Sequence, residues 1–210
     1  MRKSPRIRRL MSDHRALQSL ASESSIFSFD AKGTPPEMYR LVFRGLGAQR
    51  INHHEVSLAQ EHIVIVELSA SYPRMAPALS WQTPIFHPNI SSGGVVCLGG
   101  YGTHWVPSLT LDELCNMLWD MIRYKNFDTE SPYNRDAAIW AKNQSTFRFP
   151  LDQRPLRDLV AFCPKTGKAT TSIPPAVMQV ENMIEYVDAQ VVEEAVSPRL
   201  YSGEDVVFID

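Results

Sequence analysis

The sequence predicts an α+β fold: an N-terminal helix, a four-stranded antiparallel meander, a loop that carries a cysteine, and C-terminal helices with a divergent tail. Three observations predict it. Apolar residues recur at helical spacing near the N-terminus, short β-branched runs with tight links follow, and helical spacing returns after a long interval rich in Pro and Gly. The chain has 210 residues, 44% of them apolar, enough for one globular core and an appendage. Its formal net charge of −2 offers no global basic field for nucleic acid. No apolar run approaches the roughly 20 residues that span a bilayer, and no secretory apolar segment follows the N-terminus. The cysteines are Cys97, Cys115 and Cys163. An odd count without a CxxC pair argues against a disulfide scaffold and against a zinc knuckle. These features predict a soluble protein of a reducing, cytoplasmic compartment that needs no metal and no cofactor.

The elements follow in order. Ser4 is an N-cap and Pro5 takes the first helical position. Ile7, Leu10, Met11, Leu17, Leu20 and Ala21 then recur at helical spacing. Arg2, Arg6 and Arg9 gather on another face, with Arg8 and Arg15 nearby. Such a cluster is either a solvated face or a basic docking helix. Residues 28–37, with Gly33 and Pro35-Pro36, read as a loop. Four strand signals come next. Tyr39, Leu41 and Phe43 alternate with Arg40, Val42 and Arg44; a short run holds Val56 and Leu58; "HIVIVELSA" is nearly continuous in apolar residues, which predicts cover on both faces; "ALSW" is the fourth. Residues 72–107 are dominated by Pro and Gly, and so long an irregular stretch inside a domain points to function. Thr110 and Glu113 then form a capping box ahead of a stripe of Leu111, Leu114, Cys115, Leu118, Met121 and Ile122, which places Cys115 in the core. Ser131-Pro132 opens another helix through Ala137, Ala138, Ile139 and Trp140.

The segment "HPNISSGGVVCLGG" holds the candidate chemistry. A cysteine can carry an acyl group as a thioester and pass it to an amine. The tetrahedral centre then needs a hydrogen-bond donor for its oxyanion, and a side-chain amide serves. Asn89 stands 97 − 89 = 8 residues before Cys97, behind His87-Pro88. Glycines on both sides of the cysteine leave room for an incoming chain. The same residues are compatible with an inert buried cysteine, or with a Cys-His hydrolase that uses His87 or His104 as base.

The longer run "YPRMAPALSWQTPIFHPNISSGGVVCLGGYGTHWVPSLTLDEL" resembles the catalytic core of ubiquitin-conjugating enzymes. The matching pieces are Tyr72-Pro73, Pro77, a short strand ending at Trp81, His87-Pro88-Asn89, Cys97, and Trp105-Val106-Pro107-Ser108-Leu109-Thr110; "SPYNRDAA" matches the opening of the family's next helix. The resemblance implies a ubiquitin-conjugating-like fold and a thioester on Cys97, with Asn89 as the second catalytic residue. It implies that His87 and Pro88 shape the loop and that Ser131 stands at the acceptor gate. It implies docking of an activating enzyme or other partner through Arg2, Arg6, Arg9, Pro107 and Ser108. The implied partners are a ubiquitin-like protein, its activating enzyme and a protein substrate with an acceptor lysine, with no nucleic acid and no membrane. The sequence departs from the family pattern at Gly99, where an Asp is common, at Ala76, and at Arg74, where a large apolar residue often meets the ligase. A non-catalytic variant that only binds a ubiquitin-like protein is the nearest alternative.

The expected division is a catalytic domain over residues 1–147 and an extension over 148–210. The extension is acidic in its final third, has a break at Pro174-Pro175, partial helical spacing at Met178, Met183, Ile184 and Val187, and a strand-like "EDVVFID". A compact core with a divergent tail resembles the conjugating enzymes of bacterial ubiquitin-like operons linked to phage defence. Residues after Pro174 are expected to bind a dedicated partner, the activating enzyme, rather than to carry chemistry.

Overall fold

The computed structural model describes residues 4–52, 55–98 and 105–161. Arg2, Gly99, His104, Cys163 and the tail beyond residue 161 lie outside the described residues. In chain order the elements are α1 (Pro5–Ser22), β1 (Phe27–Gly33), β2 (Pro36–Arg50), β3 (Val56–Glu67), β4 (Ala78–Trp81), α2 (Leu111–Ile122), α3 (Arg135–Asn143) and α4 (Asp158–Ala161). The four strands form one antiparallel sheet in the order β1-β2-β3-β4. This is the expected α+β meander beside an N-terminal helix.

Two strand assignments differ from the expectation. Residues 28–37 are not a loop: Phe27 to Gly33 pair with β2, Thr34 and Pro35 turn the hairpin, and Pro36 already pairs with Gly33. Phe27 and Phe29 alternate with Ser28 and Asp30, a half-buried edge pattern that the Gly and Pro residues nearby obscure. The segments around Val56 and "HIVIVELSA" are not two strands but one, β3. Its continuous apolar run does not mean cover on both faces. His62, Val64 and Val66 are buried, while Ile63 and Ile65 are half-buried on the outer face.

Register explains the core. Tyr39, Leu41 and Phe43 of β2 lie opposite Val66, Val64 and His62 of β3, so one face of the sheet is buried and, His62 apart, apolar along these pairs. Leu10, Leu17 and Leu20 of α1 and Leu114, Leu118 and Trp119 of α2 cover that face. Full burial of each such leucine contributes about 1.5–3 kcal/mol. The outer face carries cross-strand polar pairs, among them Arg40 with Asp30 at 3.5 Å. In β2 the register shifts between Arg44 and Gly47. A Cβ at Gly45 would lie 2.3 Å from the Trp119 ring, and one at Gly47 would lie 2.6 Å from the His62 ring, so this bend admits large partners only because it has no side chains.

Ser4 accepts a hydrogen bond from Ile7 N–H at 3.3 Å and caps α1 as expected. The Thr110 N–H donates to the Glu113 carboxylate at 2.7 Å at the start of α2. The third helix starts later than Ser131-Pro132: Asn134 is its N-cap and accepts from Ala137 N–H at 3.1 Å. Beyond residue 147 the chain stays on this core. Leu151 N–H donates to Arg123 O at 2.7 Å, the Trp119 indole N–H donates to Arg154 O at 2.9 Å, and Leu156 is buried with the α1 and α2 leucines. Among the described residues no helix is long and apolar enough to cross a membrane.

Candidate active site

The spacing of eight between Asn89 and Cys97 has a geometric meaning. Residues 87–97 fold back on themselves as a small hairpin. His87 bridges Ile90, Ile90 bridges Val96, and the Cys97 N–H donates to the Asn89 carbonyl at 2.9 Å. The turn closes through Gly94 N–H to Ser91 O at 3.0 Å. Gly94 has φ +80°, and a Cβ there would lie 2.4 Å from the Trp81 carbonyl. Trp81 N–H donates to Gly94 O at 2.8 Å, so β4 holds the hairpin from the side. The return strand thus sets the Cys97 backbone beside Asn89. Cys97 is half-exposed and free. Cys115 is buried on α2, where burial pushes its thiol pKa well up and keeps it a neutral thiol.

His87, Pro88 and Asn89 are buried together. His87 Nδ1 accepts from the Asn89 N–H at 3.1 Å, and burial lowers the His87 pKa to about 3. Burial thus favours the neutral ring, whose Nδ1 holds the backbone of Asn89. Asn89 Oδ1 accepts from the Asp128 N–H at 2.9 Å, and Pro88 O accepts from the Asn134 N–H at 2.9 Å. Residues 128–134 are thus a strap tied at both ends to the motif. Within it Asp128 Oδ1 accepts from the N–H groups of Glu130 and Ser131, at 2.7 Å and 3.3 Å. Ser131 is exposed on this strap, and Glu130 beside it pairs with Lys142 at 2.7 Å.

Tyr124 supports the motif from behind, and no sequence pattern singled it out. It takes the left-handed conformation at φ 58°, costly for a residue with a side chain. Its hydroxyl donates to the Phe86 carbonyl, and its ring packs edge-on to His87 at 4.9 Å and stacks on Phe149 at 4.6 Å. Burial of that ring holds the strained backbone in place.

The arginines of α1 are not equivalent. Arg6 donates to Glu37 at 2.6 Å and to Ser69 O at 3.1 Å. Arg9 is only 18% exposed; its Nε donates to Asp13 at 2.7 Å, and its terminal nitrogens donate to Pro107 O, Leu109 O and the Tyr72 hydroxyl. Acceptors within the chain thus hold both guanidinium groups. Arg8 and Arg15 are exposed and have no ion pair among the described residues. Pro107 and Ser108 are exposed on the segment that Arg9 holds. Asp13 was missed by the sequence reading. Its signal is its position: with Leu10, Leu17 and Leu20 it occupies the buried stripe, where a carboxylate needs partners.

Comparisons with known proteins find similarity over the same stretch of chain. The family described as ubiquitin-conjugating enzyme matches residues 59–153, which contain the hairpin, Cys97 and the strap. The chain is similar to ubiquitin-conjugating enzyme E2 16 of Schizosaccharomyces pombe, with 36% identity over 77 residues, 36% of this chain and 47% of that protein. It is similar to a probable NEDD8-conjugating enzyme, Ubc12-like, of Arabidopsis thaliana, with 30% identity over 93 residues, 44% of this chain and 49% of that one. The chain spans about half the length of these curated relatives. Among solved structures, Ubc12 of S. cerevisiae has the same fold, with a TM-score of 0.51 at 20% identity, covering 69% of this chain and 75% of that one. Motif order and family match coincide on the same residues: it is residues 59–153 of the chain that match the ubiquitin-conjugating enzyme family.

Proposed function

We propose that the protein carries a ubiquitin-like modifier as a thioester on Cys97 and passes it to a protein amine. The observation that carries this reading is the 2.9 Å backbone bond between Cys97 N–H and Asn89 O, which sets a half-exposed cysteine and a buried asparagine side by side on one hairpin. In the first step the Cys97 thiolate attacks the carbonyl of the modifier's thioester on an activating enzyme, and that enzyme's thiolate leaves. In the second step a lysine amine attacks the Cys97 thioester, the tetrahedral oxyanion collapses, the Cys97 thiolate leaves, and the amine gives up its proton. Asn89 Oδ1 is taken by Asp128 N–H, so Nδ2 is the donor that remains for the oxyanion. One side chain then braces the strap and stabilises the transition state. The relatives' names mention ubiquitin and NEDD8, and the shared substrate class is a ubiquitin-like protein with an activated C-terminal carboxyl.

The exposed Arg8 and Arg15 offer a basic face of α1 to an acidic surface of the activating enzyme, and Pro107 and Ser108 extend the partner surface. Residues after Pro174, with their acidic character, add a contact to the same enzyme. The experiment is a pulse-chase with activating enzyme, ATP and ubiquitin or NEDD8, followed by free lysine. A reductant-sensitive adduct that converts to a lysine amide supports transfer. Release of free modifier without amide, at a rate that depends on a histidine, supports a thiol hydrolase instead. No adduct at all supports a binding-only variant.

A further inference from the structure

Resting on that reading, we propose that Arg9 is a positioning residue: through Asp13 and Tyr72 its guanidinium clamps residues 105–110 to α1, so that partner engagement at Pro107 and Ser108 depends on the shape of Arg9 rather than on its charge. Asp13 is fully buried and accepts from Arg9 Nε at 2.7 Å, from the Tyr72 hydroxyl at 2.6 Å and from the Leu111 N–H at 3.3 Å. Arg9 in turn reaches two carbonyls of the segment, those of Pro107 and Leu109, and the Tyr72 oxygen at 3.2 Å. Its guanidinium also lies over the Tyr72 ring at 5.4 Å. The Tyr72 ring packs on Trp105 at 5.6 Å, and the Trp105 indole N–H donates to Pro73 O at 3.0 Å. The segment is therefore held from α1, from the Tyr72 turn and from the first residue of α2.

The chemistry needs an arginine. A planar fork can serve a carboxylate, a hydroxyl and two carbonyls at once, whereas a lysine ammonium is a single point with three donors and cannot span them. Buried polar networks of this kind specify one geometry when every member is satisfied. Residues 105–110 carry the exposed Pro107 and Ser108 and lead directly into α2. A loosened clamp would misplace that surface while leaving the Asn89–Cys97 hairpin intact.

The test compares Arg9→Lys with Arg9→Ala. Two quantities are read: the second-order rate of modifier transfer from the activating enzyme to Cys97, and amide hydrogen exchange at Leu109 and Leu111 in the uncharged protein. Both variants should lose transfer about equally, on the order of 10- to 100-fold, and both should exchange faster at Leu111 with the Cys97 reactivity toward a small thiol reagent unchanged. Transfer by Arg9→Lys at the wild-type rate overturns the proposal and makes Arg9 a docking charge. Lost transfer with unchanged exchange also overturns it, since Arg9 would then touch the partner directly. Faster exchange with unchanged transfer overturns the link to partner engagement. If both variants fail to fold, Tyr72→Phe, which keeps the ring on Trp105 and removes the hydroxyl, must show the same paired loss. Exchange needs no modifier, so failure of the conjugation reading itself appears separately, as a wild-type protein that never charges.

Discussion

Asn89 has one observed contact, with the Asp128 N–H, and one proposed role, as oxyanion donor, and the two separate in a mutant. Asn89→Ala removes the acceptor for the buried Asp128 N–H, which costs about 1–3 kcal/mol of stability. On the proposed mechanism it also removes the oxyanion donor, and a loss of that kind costs a further factor of about 10²–10³ in the discharge step. The expected outcome is a lowered melting temperature, charging on Cys97 near the wild-type level below that temperature, and slow discharge onto lysine. Equal losses in charging and discharge would leave only the bracing role. The buried histidines set the pH dependence. Burial lowers the pKa of His62 to about 4 and of His87 to about 3, against an ordinary value near 6.5. The unfolded chain binds protons that the folded chain refuses, so this stability is whole above about pH 6.5 and is lost as pH falls toward those lower values. Calorimetry should show a flat melting temperature above pH 7 and a steady fall below 6.5, shallower in His62→Asn. The discharge rate should show no inflection from His87 near pH 6.5.

The elements differ in how much of them the sequence announces. Helix α1 is plain from Ser4-Pro5 and its leucine stripe, and α2 from its capping box. Strand β1 is hidden because its core residues are only Phe27 and Phe29 before Gly33 and the prolines end it. The join of Val56 to Glu67 into one strand is hidden because polar residues interrupt its apolar run. The hairpin of residues 87–97 is legible only through its residue types and spacing; the strap that ties it down depends on contacts from Asp128 and Asn134, which no local pattern predicts. The bend in β2 offers a test at this scale. Gly47→Ala would push a Cβ to 2.6 Å from the His62 ring and 3.0 Å from Ile122, and overpacking of this kind costs about 1–3 kcal/mol. Urea unfolding should show that loss, with Cys97 reactivity preserved below the midpoint. On α1, reversing Arg8 and Arg15 together to Glu should raise the half-saturating concentration of activating enzyme several-fold. Added salt should produce the same rise in the wild type, since exposed charges are screened over about 8 Å at physiological ionic strength.

At the largest scale, the described residues form a sheet with one buried face, helices α1 and α2 covering it, and an irregular segment that carries the Cys97 thiol. The core consists of Tyr39, Leu41, Phe43, Val64 and Val66 under α1 and α2, and the pattern of the sequence shows most of it. Less legible was the polar interior. Asp13 joins α1 to Tyr72 and α2, Asp158 accepts from Ser25 N–H at 2.7 Å, and Leu156 enters the core from beyond the expected boundary at residue 147. These are long-range pairings, and a single sequence carries no periodic signal for them. Removing residues after Thr171 should therefore leave the melting temperature and the Cys97 thiol reactivity close to those of the full chain, while transfer from the activating enzyme slows; a full-rate transfer would remove the tail from partner recognition. The central claim, that Cys97 is the acyl carrier, is tested most directly by intact and peptide mass spectrometry after incubation with activating enzyme, ATP and ubiquitin or NEDD8. The predicted result is one modifier per chain, less one water, on the peptide that contains Cys97, reversed by reductant and absent in Cys97→Ala but present in Cys115→Ala; an adduct that persists in Cys97→Ala, or none in the wild type with either modifier, would contradict it.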